Sequence, residues 1–312
     1  MTTTSPEPGA EEAADVADEP THSDLTPQEA VASLVRLLDL EEIDQDLHRG
    51  LPAPDNDRGR AFGGQVAAQA LIAAIRSAGD GFHVHSMHSY FLLPGDPLYP
   101  IVYDVERIRD GRSFQTRRVA ARQHGRDIYY LTVNFQKHEE GFEHQDAMPS
   151  VPPPEKCLDW IDLMAKSSDQ DARSLAREWA AVEVRVVGNS LLGLDPDPAR
   201  PSQQRVWLRI ADPLPDDPDI QAGAFTWASD ISLLGASLAA HTLDTRRVQM
   251  ASLDHTIWFH RPFRADEWWL YDQESPAAQG GRGLSIGRVF TADGTLVATV
   301  AQEGIIRPPR EG

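Results

Sequence analysis

The chain has 312 residues, 41% of them hydrophobic, and a formal net charge of −19. This length suits one large domain or two of ordinary size, and so acidic a chain offers no general surface for nucleic-acid phosphates. No apolar run approaches the ~20 residues of a membrane span. The opening MTTTSPEPGAEEAADVADEP has neither the basic nor the apolar region of a secretory signal. The one cysteine, Cys157, excludes an intramolecular disulfide. A cytoplasmic protein is expected.

Residues 1–24 carry seven acids, no Lys or Arg and almost no core formers, so a disordered acidic tail is expected there. Thr26-Pro27 then opens a helix with Val31, Leu34, Leu37 and Leu38 at helical spacing. FGGQVAAQALIAAIRSAG (62–79) reads as a second helix, rich in small residues. HSMHSYFLL (85–93), IVYDVERI (101–108), SFQTRRVAARQ (113–123) and IYYLTVNFQ (128–136) read as strands, the later ones joined by tight turns at Asp110-Gly111 and His124-Gly125. In MPSVPPPEK (148–156) three consecutive prolines exclude both helix and central strand. An amphipathic helix is expected from about Leu158 to Ala181, then the strand-like VEVRVVG (182–188). The expected division is an N-terminal domain over 25–145, a linker and connecting helix over 146–181, and a C-terminal domain over 182–312.

The second half repeats the order of the first. Asp217-Pro218 has the cap and first-turn proline of a helix start, and the helix is expected to run through AFTWASDISLLGASLAAH (224–241). Strands follow at SLDHTIWFH (252–260), WWLYDQES (268–275), LSIGRVFT (284–291) and LVATVAQEG (296–304), the last two joined by Asp293-Gly294. Pro94 matches Pro262, and Gln136 of VNFQ matches Gln302 of VAQ. An Ala- and Gly-rich helix followed by an antiparallel meander is the order of a sheet wrapped around a central helix. The expected class is therefore α+β, a double hot-dog whose two repeats form an internal pseudo-dimer with a cleft between them.

Three residues stand out chemically. Asp230 is a poor mid-helix residue at the edge of the stripe Trp227, Ile231, Leu234, Gly235 and Leu238, where a carboxylate could orient or deprotonate a water. Ser252 opens a strand and Gln302 lies near the end of the last one; a buried hydroxyl and a buried amide each need partners. A water shared among the three would satisfy them. The first domain is also rich in arginine, including Arg60, Arg107, Arg109, Arg117, Arg118 and Arg122, which allows a local basic rim for phosphates on an acidic protein.

These residues lie within a wider resemblance. FGGQVAAQAL (62–71), HSMHSYFLLPGD (85–96), ASD (228–230), DHTIWFHRPFRADEWWLY (254–271) and VAQEG (300–304) closely resemble the acyl-CoA thioesterase II family, and the likeness spans roughly residues 30–308. The family includes bacterial medium- to long-chain thioesterases and a peroxisomal relative. The resemblance implies a double hot-dog fold, an acyl-CoA substrate and no cofactor. It implies an active site of an aspartate, a hydroxyl residue before Asp-His and the glutamine of Gln-Glu-Gly, which fall on Asp230, Ser252 and Gln302. Threonine is the commoner hydroxyl residue, so Ser252 departs mildly and has more rotamer freedom. Hydrolysis by an activated water is the expected chemistry.

Other readings fit less well. Gly63-Gly64-Gln65 spells the tripeptide of peptide-release factors, which need a basic RNA-facing body that this chain lacks. His83, His85 and His88 cluster without a cysteine or carboxylate to complete a metal set, so no metal is expected. Asp254-His255 would suit a hot-dog enoyl-CoA hydratase, yet adjacent strand residues face opposite ways. A Ser252 acyl-enzyme lacks a histidine placed to activate the hydroxyl. A non-catalytic acyl-CoA-binding protein of the same fold is the remaining alternative. Sheet edges and helix faces left after internal pairing lead us to expect a homo-oligomer.

Overall fold

In the computed structural model of the protein the described residues are 25–52, 59–188, 202–241 and 248–308. The acidic tail expected at 1–24 lies outside them. Helix α1 (Pro27–Leu38) starts in a capping box: Thr26 Oγ1 accepts from Glu29 N, and Glu29 Oε2 accepts from Thr26 N at 2.8 Å. It buries Ala30, Val31, Leu34 and Leu38. A short hairpin not anticipated from the sequence follows, β1 (Glu41–Asp44) and β2 (Leu47–Gly50). Its charged, four-residue strands show no hydrophobic alternation, and only pairing of β2 with a later strand makes it part of the sheet.

Helix α2 (Gly63–Arg76) is buried without interruption from Gly64 to Ala74, as a helix apolar on every side must be. Strands β3 (Phe82–Phe91), β4 (Ile101–Asp110), β5 (Phe114–Gln123) and β6 (Arg126–Lys137) wrap it in the expected order. His124 and Gly125 both take positive φ, 50° and 73°, which gives the β5–β6 turn a twist matching its strands.

The long connecting helix expected from Leu158 to Ala181 does not form. The segment is instead β7 (Leu158–Asp159), α3 (Trp160–Ala165) and α4 (Gln170–Glu178). Asp159 and Asp169 are the reason: each side chain caps a new helix, accepting from Asp162 N and Asp171 N. Ser167 and Asp169 between them offer the backbone hydrogen bonds that compete with helix continuation. Strands β8 (Val182–Val186) and β9 (Gln203–Ile210) follow, β9 being another strand missed in the sequence.

The second central helix, α5 (Pro218–Ser229), stops earlier than expected and passes into a 3-10 turn at Leu233–Leu238. Then come β10 (Gln249–Ser252), β11 (Asp254–Phe259), β12 (Trp269–Gln279), β13 (Arg282–Thr291) and β14 (Leu296–Arg307). All strands join one antiparallel sheet in the order β1-β2-β4-β5-β6-β3-β11-β14-β13-β12-β9-β8-β7, with β10 added on β14. The halves meet where β3 pairs with β11, with His88 opposite Thr256. One apolar core runs through both, including Leu71 of α2 and Phe225 of α5. Two central helices under one sheet made of two like halves constitute a double hot-dog fold.

Backbone hydrogen bonds set the correspondence between the repeats. Leu92 N and Leu93 N donate to Ile128 O, and His260 N and Arg261 N donate in the same way to Val297 O. Extended along the strands, this register matches buried Tyr103 with buried Tyr271. It also places the pair Val133–Arg117 where the second repeat has Gln302–Ser285. The match of Gln136 with Gln302 read from the sequence is therefore wrong. Strand ends drift in sequence, and sheet register decides which side chain points inward.

The two central helices touch backbone to backbone. A Cβ on Gly64 would lie 2.4 Å from Trp227 O, and one on Gly223 would lie 3.0 Å from Ile72 Cδ1. Gly64→Ala should therefore lower stability by about 1–3 kcal/mol through overpacking. The check is a urea titration, in which the midpoint falls while the slope is unchanged.

Candidate active site

Asp230 sits one residue beyond α5, at the C-cap, with φ −84° and ψ −8°. The helix loosens there because hydroxyls bond back into it: Thr226 Oγ1 donates to Ala222 O and Ser229 Oγ to Thr226 O. The carboxylate thus projects from a helix end rather than from the mid-helix stripe expected. It meets the start of α2, where a Cβ on Gly63 would lie 2.7 Å from Asp230 Oδ2. Only glycine lets the first turn of α2 approach this closely. The positive end of the α2 dipole faces this carboxylate, which offsets the unfavourable negative end of α5.

Ser252 ends β10, and Leu253 separates it from β11, so the single strand expected over 252–260 is two. Leu253 N donates to Glu303 O and Leu253 O accepts from Phe91 N, which locks the break between β14 and the first repeat. Ser252 pairs with Gly304 of β14. Gly304 lets Leu234 pack closely over the strand, since a Cβ there would lie 2.5 Å from Leu234 Cδ1. Gln302, two residues earlier, points inward on the same face and is fully buried.

The structure brings the three expected residues together. Gln302 Nε2 donates to Asp230 Oδ1 at 2.6 Å and to Ser252 Oγ at 2.8 Å. The two protons of one amide nitrogen are thereby assigned, and the Ser252 hydroxyl keeps its own proton for another acceptor. Asp230 and Ser252 line a cavity of about 610 Å³. Its walls come from both repeats, with Val66 and Phe91 from the first and Ile231 and Leu234 from the second, and from Leu175 and Trp179 of α4 and its C-cap. Nothing in the local pattern of α4 marks it as part of this cavity wall. Tyr129 lines the cavity and the Tyr271 hydroxyl donates to Ser229 O; both are fully buried, their hydroxyl pKa values raised by burial and by the Asp230 charge.

The remaining candidates are placed elsewhere. Asp254 and His255 do face opposite ways: Asp254 Oδ1 accepts from Glu303 N at 2.7 Å, while His255 Nε2 lies 2.9 Å from Ser229 Oγ. His85 and His88 pack edge-on against Phe114 and Trp258. Among the described residues no group of His, Cys, Asp and Glu is gathered to hold a metal. Arg60 lines the cavity. Arg107, Arg117, Arg118 and Arg122 instead pair with Asp46, Asp110, Glu106 and Asp127, so those four do not supply the basic rim expected of them. No helix among the described residues is long and apolar enough to cross a membrane.

Known proteins share this architecture and much of the sequence. The family described as "Acyl-CoA thioesterase" matches residues 195–305, and "Acyl-CoA thioesterase N-terminal domain" matches residues 51–136. Acyl-CoA thioesterase 2 of Haemophilus influenzae is 40% identical, over 88% of this chain and 97% of its own. The chain belongs to the acyl-CoA thioesterase II family. Acyl-coenzyme A thioesterase 8 of Mus musculus is 41% identical over 87% of this chain and 88% of its own. The solved acyl-CoA thioesterase II of Mycobacterium marinum superposes with a TM-score of 0.77 at 44% identity, covering 88% of this chain and 98% of that one. A hot-dog protein from Alicyclobacillus acidocaldarius, at 21% identity and a TM-score of 0.73, shares the fold.

Packed against the end of α5 through Ser229, His255 should make the protein sensitive to acid. Burial pushes its pKa down from 6.5 to about 4. Between those values the unfolded chain binds the extra proton, so this contribution to stability is complete above pH ~6.5 and is lost as the pH falls towards 4. The loss should be on the order of 3 kcal/mol. Urea midpoints measured across this range should fall with pH, and His255→Gln should flatten the slope.

Proposed function

We propose that the protein hydrolyses fatty acyl-CoA thioesters of medium to long chain by direct attack of a water held at Asp230, Ser252 and Gln302. The observation that carries this reading is the single Gln302 amide tying a carboxylate and a hydroxyl together at the wall of a largely apolar cavity. The thioesterase names of the relatives support the reaction class. The acyl chain would occupy the apolar part of the cavity, with its thioester carbonyl beside Asp230.

In this scheme Asp230 accepts a proton as the water oxygen bonds to the thioester carbon. Ser252 restricts the water to the attacking geometry, and Gln302 acts through the two amide protons that fix Asp230 and Ser252. Negative charge that develops on the carbonyl oxygen faces the first N–H groups of α2, at Gly63 to Gln65, where Phe62 as N-cap supplies no competing side-chain oxygen. Collapse of the tetrahedral species breaks the C–S bond, and the proton held by Asp230 returns to the departing thiolate. The products are the free fatty acid and coenzyme A. A Ser252 acyl-enzyme is less well supported, because the nearby imidazole of His255 bonds to Ser229.

The same reading includes a reducing, cytoplasmic setting, for which the single cysteine is suited. It also includes self-association, for which exposed Tyr90 and Trp258 at the β3–β11 seam provide apolar surface.

Asp230→Asn keeps the shape of the side chain but removes the basic oxygen. Thiol release from a series of acyl-CoAs should fall by roughly 10²–10⁴-fold while the fold is retained. Ser252→Ala should lower kcat but leave measurable turnover. Near-wild-type thiol release by folded Asp230→Asn would dispose of the site, and absence of thiol release by the wild type with every acyl-CoA would favour a binding protein.

A further inference from the structure

The inward face of the second repeat's sheet carries polar side chains that this scheme leaves unused. Gln302 stands opposite Ser285 on β13, and Gln273 of β12 stands opposite Gly287, two residues along β13 on the same face. Gln273, Ser285 and Gln302 are all 0% exposed. Gln302 Oε1, Ser285 Oγ and Gln273 Oε1 make no hydrogen bond to any described residue. The other ends are engaged, Gln302 Nε2 as above and Gln273 Nε2 by donation to Ser232 Oγ at 2.6 Å. An unsatisfied buried polar atom costs about 1–3 kcal/mol, so three at neighbouring positions on one sheet face call for a partner.

Their chemistry matches one small molecule. Two carbonyl oxygens need donors, and one hydroxyl needs an acceptor. A water supplies two protons and accepts one, which accounts for all three groups. The first repeat provides an internal comparison. At the positions matching Gln273, Ser285 and Gln302 it has Val105, Arg117 and Val133. There the Arg117 guanidinium fills the space and bonds to Ser77, Asp110 and the carbonyls of Arg109 and Thr116. The polar set is confined to the repeat that holds Asp230.

We propose that Gln273 and Ser285 hold one buried water against Gln302 Oε1, and that this water keeps the Gln302 amide turned with both Nε2 protons towards Asp230 and Ser252. Both are positioning residues, and their role rests on the site assigned under Proposed function. The need arises during turnover. While Asp230 is a carboxylate, it holds the amide nitrogen by charge. Once Asp230 has taken the proton of the attacking water, its carboxyl can donate to Oε1 instead, and a flipped amide competes. A water held from the far side by Ser285 and Gln273 does not depend on the protonation of Asp230, so it returns the amide to one orientation for each cycle.

The test is a double-mutant cycle on thiol release, with melting temperatures recorded for each variant. Ser285→Ala should lower kcat about tenfold with KM unchanged, and Gln273→Met should act in the same direction. In a Gln302→Ala background Ser285→Ala should change kcat by less than about twofold, because the group it positions is gone. A purely structural role would instead lower the melting temperature and multiply through both backgrounds. That outcome, or wild-type kcat for Ser285→Ala beside a crippled Gln302→Ala, would overturn the proposal. Wild-type turnover by Gln302→Ala itself would overturn the site and this inference with it. A crystal structure should show a solvent oxygen about 2.5–3.0 Å from all three atoms; a direct Ser285–Gln302 bond in its place would refute the bridge.

Discussion

The backbone contact between α2 and α5 governs the rest of the molecule. Gly64 against the Trp227 carbonyl leaves no room for a side chain, so the helices approach as closely as two backbones can. That approach brings the first turn of α2 to the last turn of α5 and sets Gly63 against the Asp230 carboxylate. A wider spacing would part the N-terminal amides from the acid they face, and the cavity wall would lose its polar end. The continuous sheet, joined at β3–β11, holds both helices in that relation.

The two repeats share a backbone plan and differ in what fills it. Tyr103 and Tyr271 occupy matching buried positions, and the same pair of amides meets one carbonyl at the matching bends. Around the end of α2, however, the inward set is Val105, Arg117 and Val133, and around the end of α5 it is Gln273, Ser285 and Gln302. A buried arginine saturated by Ser77, Asp110 and backbone carbonyls is inert filling. Small hydroxyls and amides leave room and unmet hydrogen-bonding capacity, which are what a water-handling site requires. That difference in side chains is why the site proposed above falls in the second repeat only.

Much of this was legible in the residues. The order of helix and strands in each half, the turns at His124-Gly125 and Asp293-Gly294, and the set Asp230, Ser252 and Gln302 all came from local pattern or family resemblance. Local pattern works where physics is local: glycine takes positive φ, small residues admit close packing, and alternation marks a half-buried strand. It failed at Leu158–Ala181, where Asp159 and Asp169 cap new helices, and at Ser229–Asp230, where side-chain hydroxyls end α5.

Only the tertiary structure decided the rest, because it depends on partners far apart in the chain. The β1–β2 hairpin exists through its pairing with β4, and the place of Gln302 opposite Ser285, matching Val133 rather than Gln136, follows from sheet register. Four arginines of the expected basic rim are paired for the same reason: Asp46, Asp110, Glu106 and Asp127 meet side chains that read as free charge in one dimension. Composition and spacing indicate most of the elements and the side chains they carry. Which side chains meet is set by long-range pairing, since a contact between Asp230 and Gln302 is a property of the folded sheet and not of either segment.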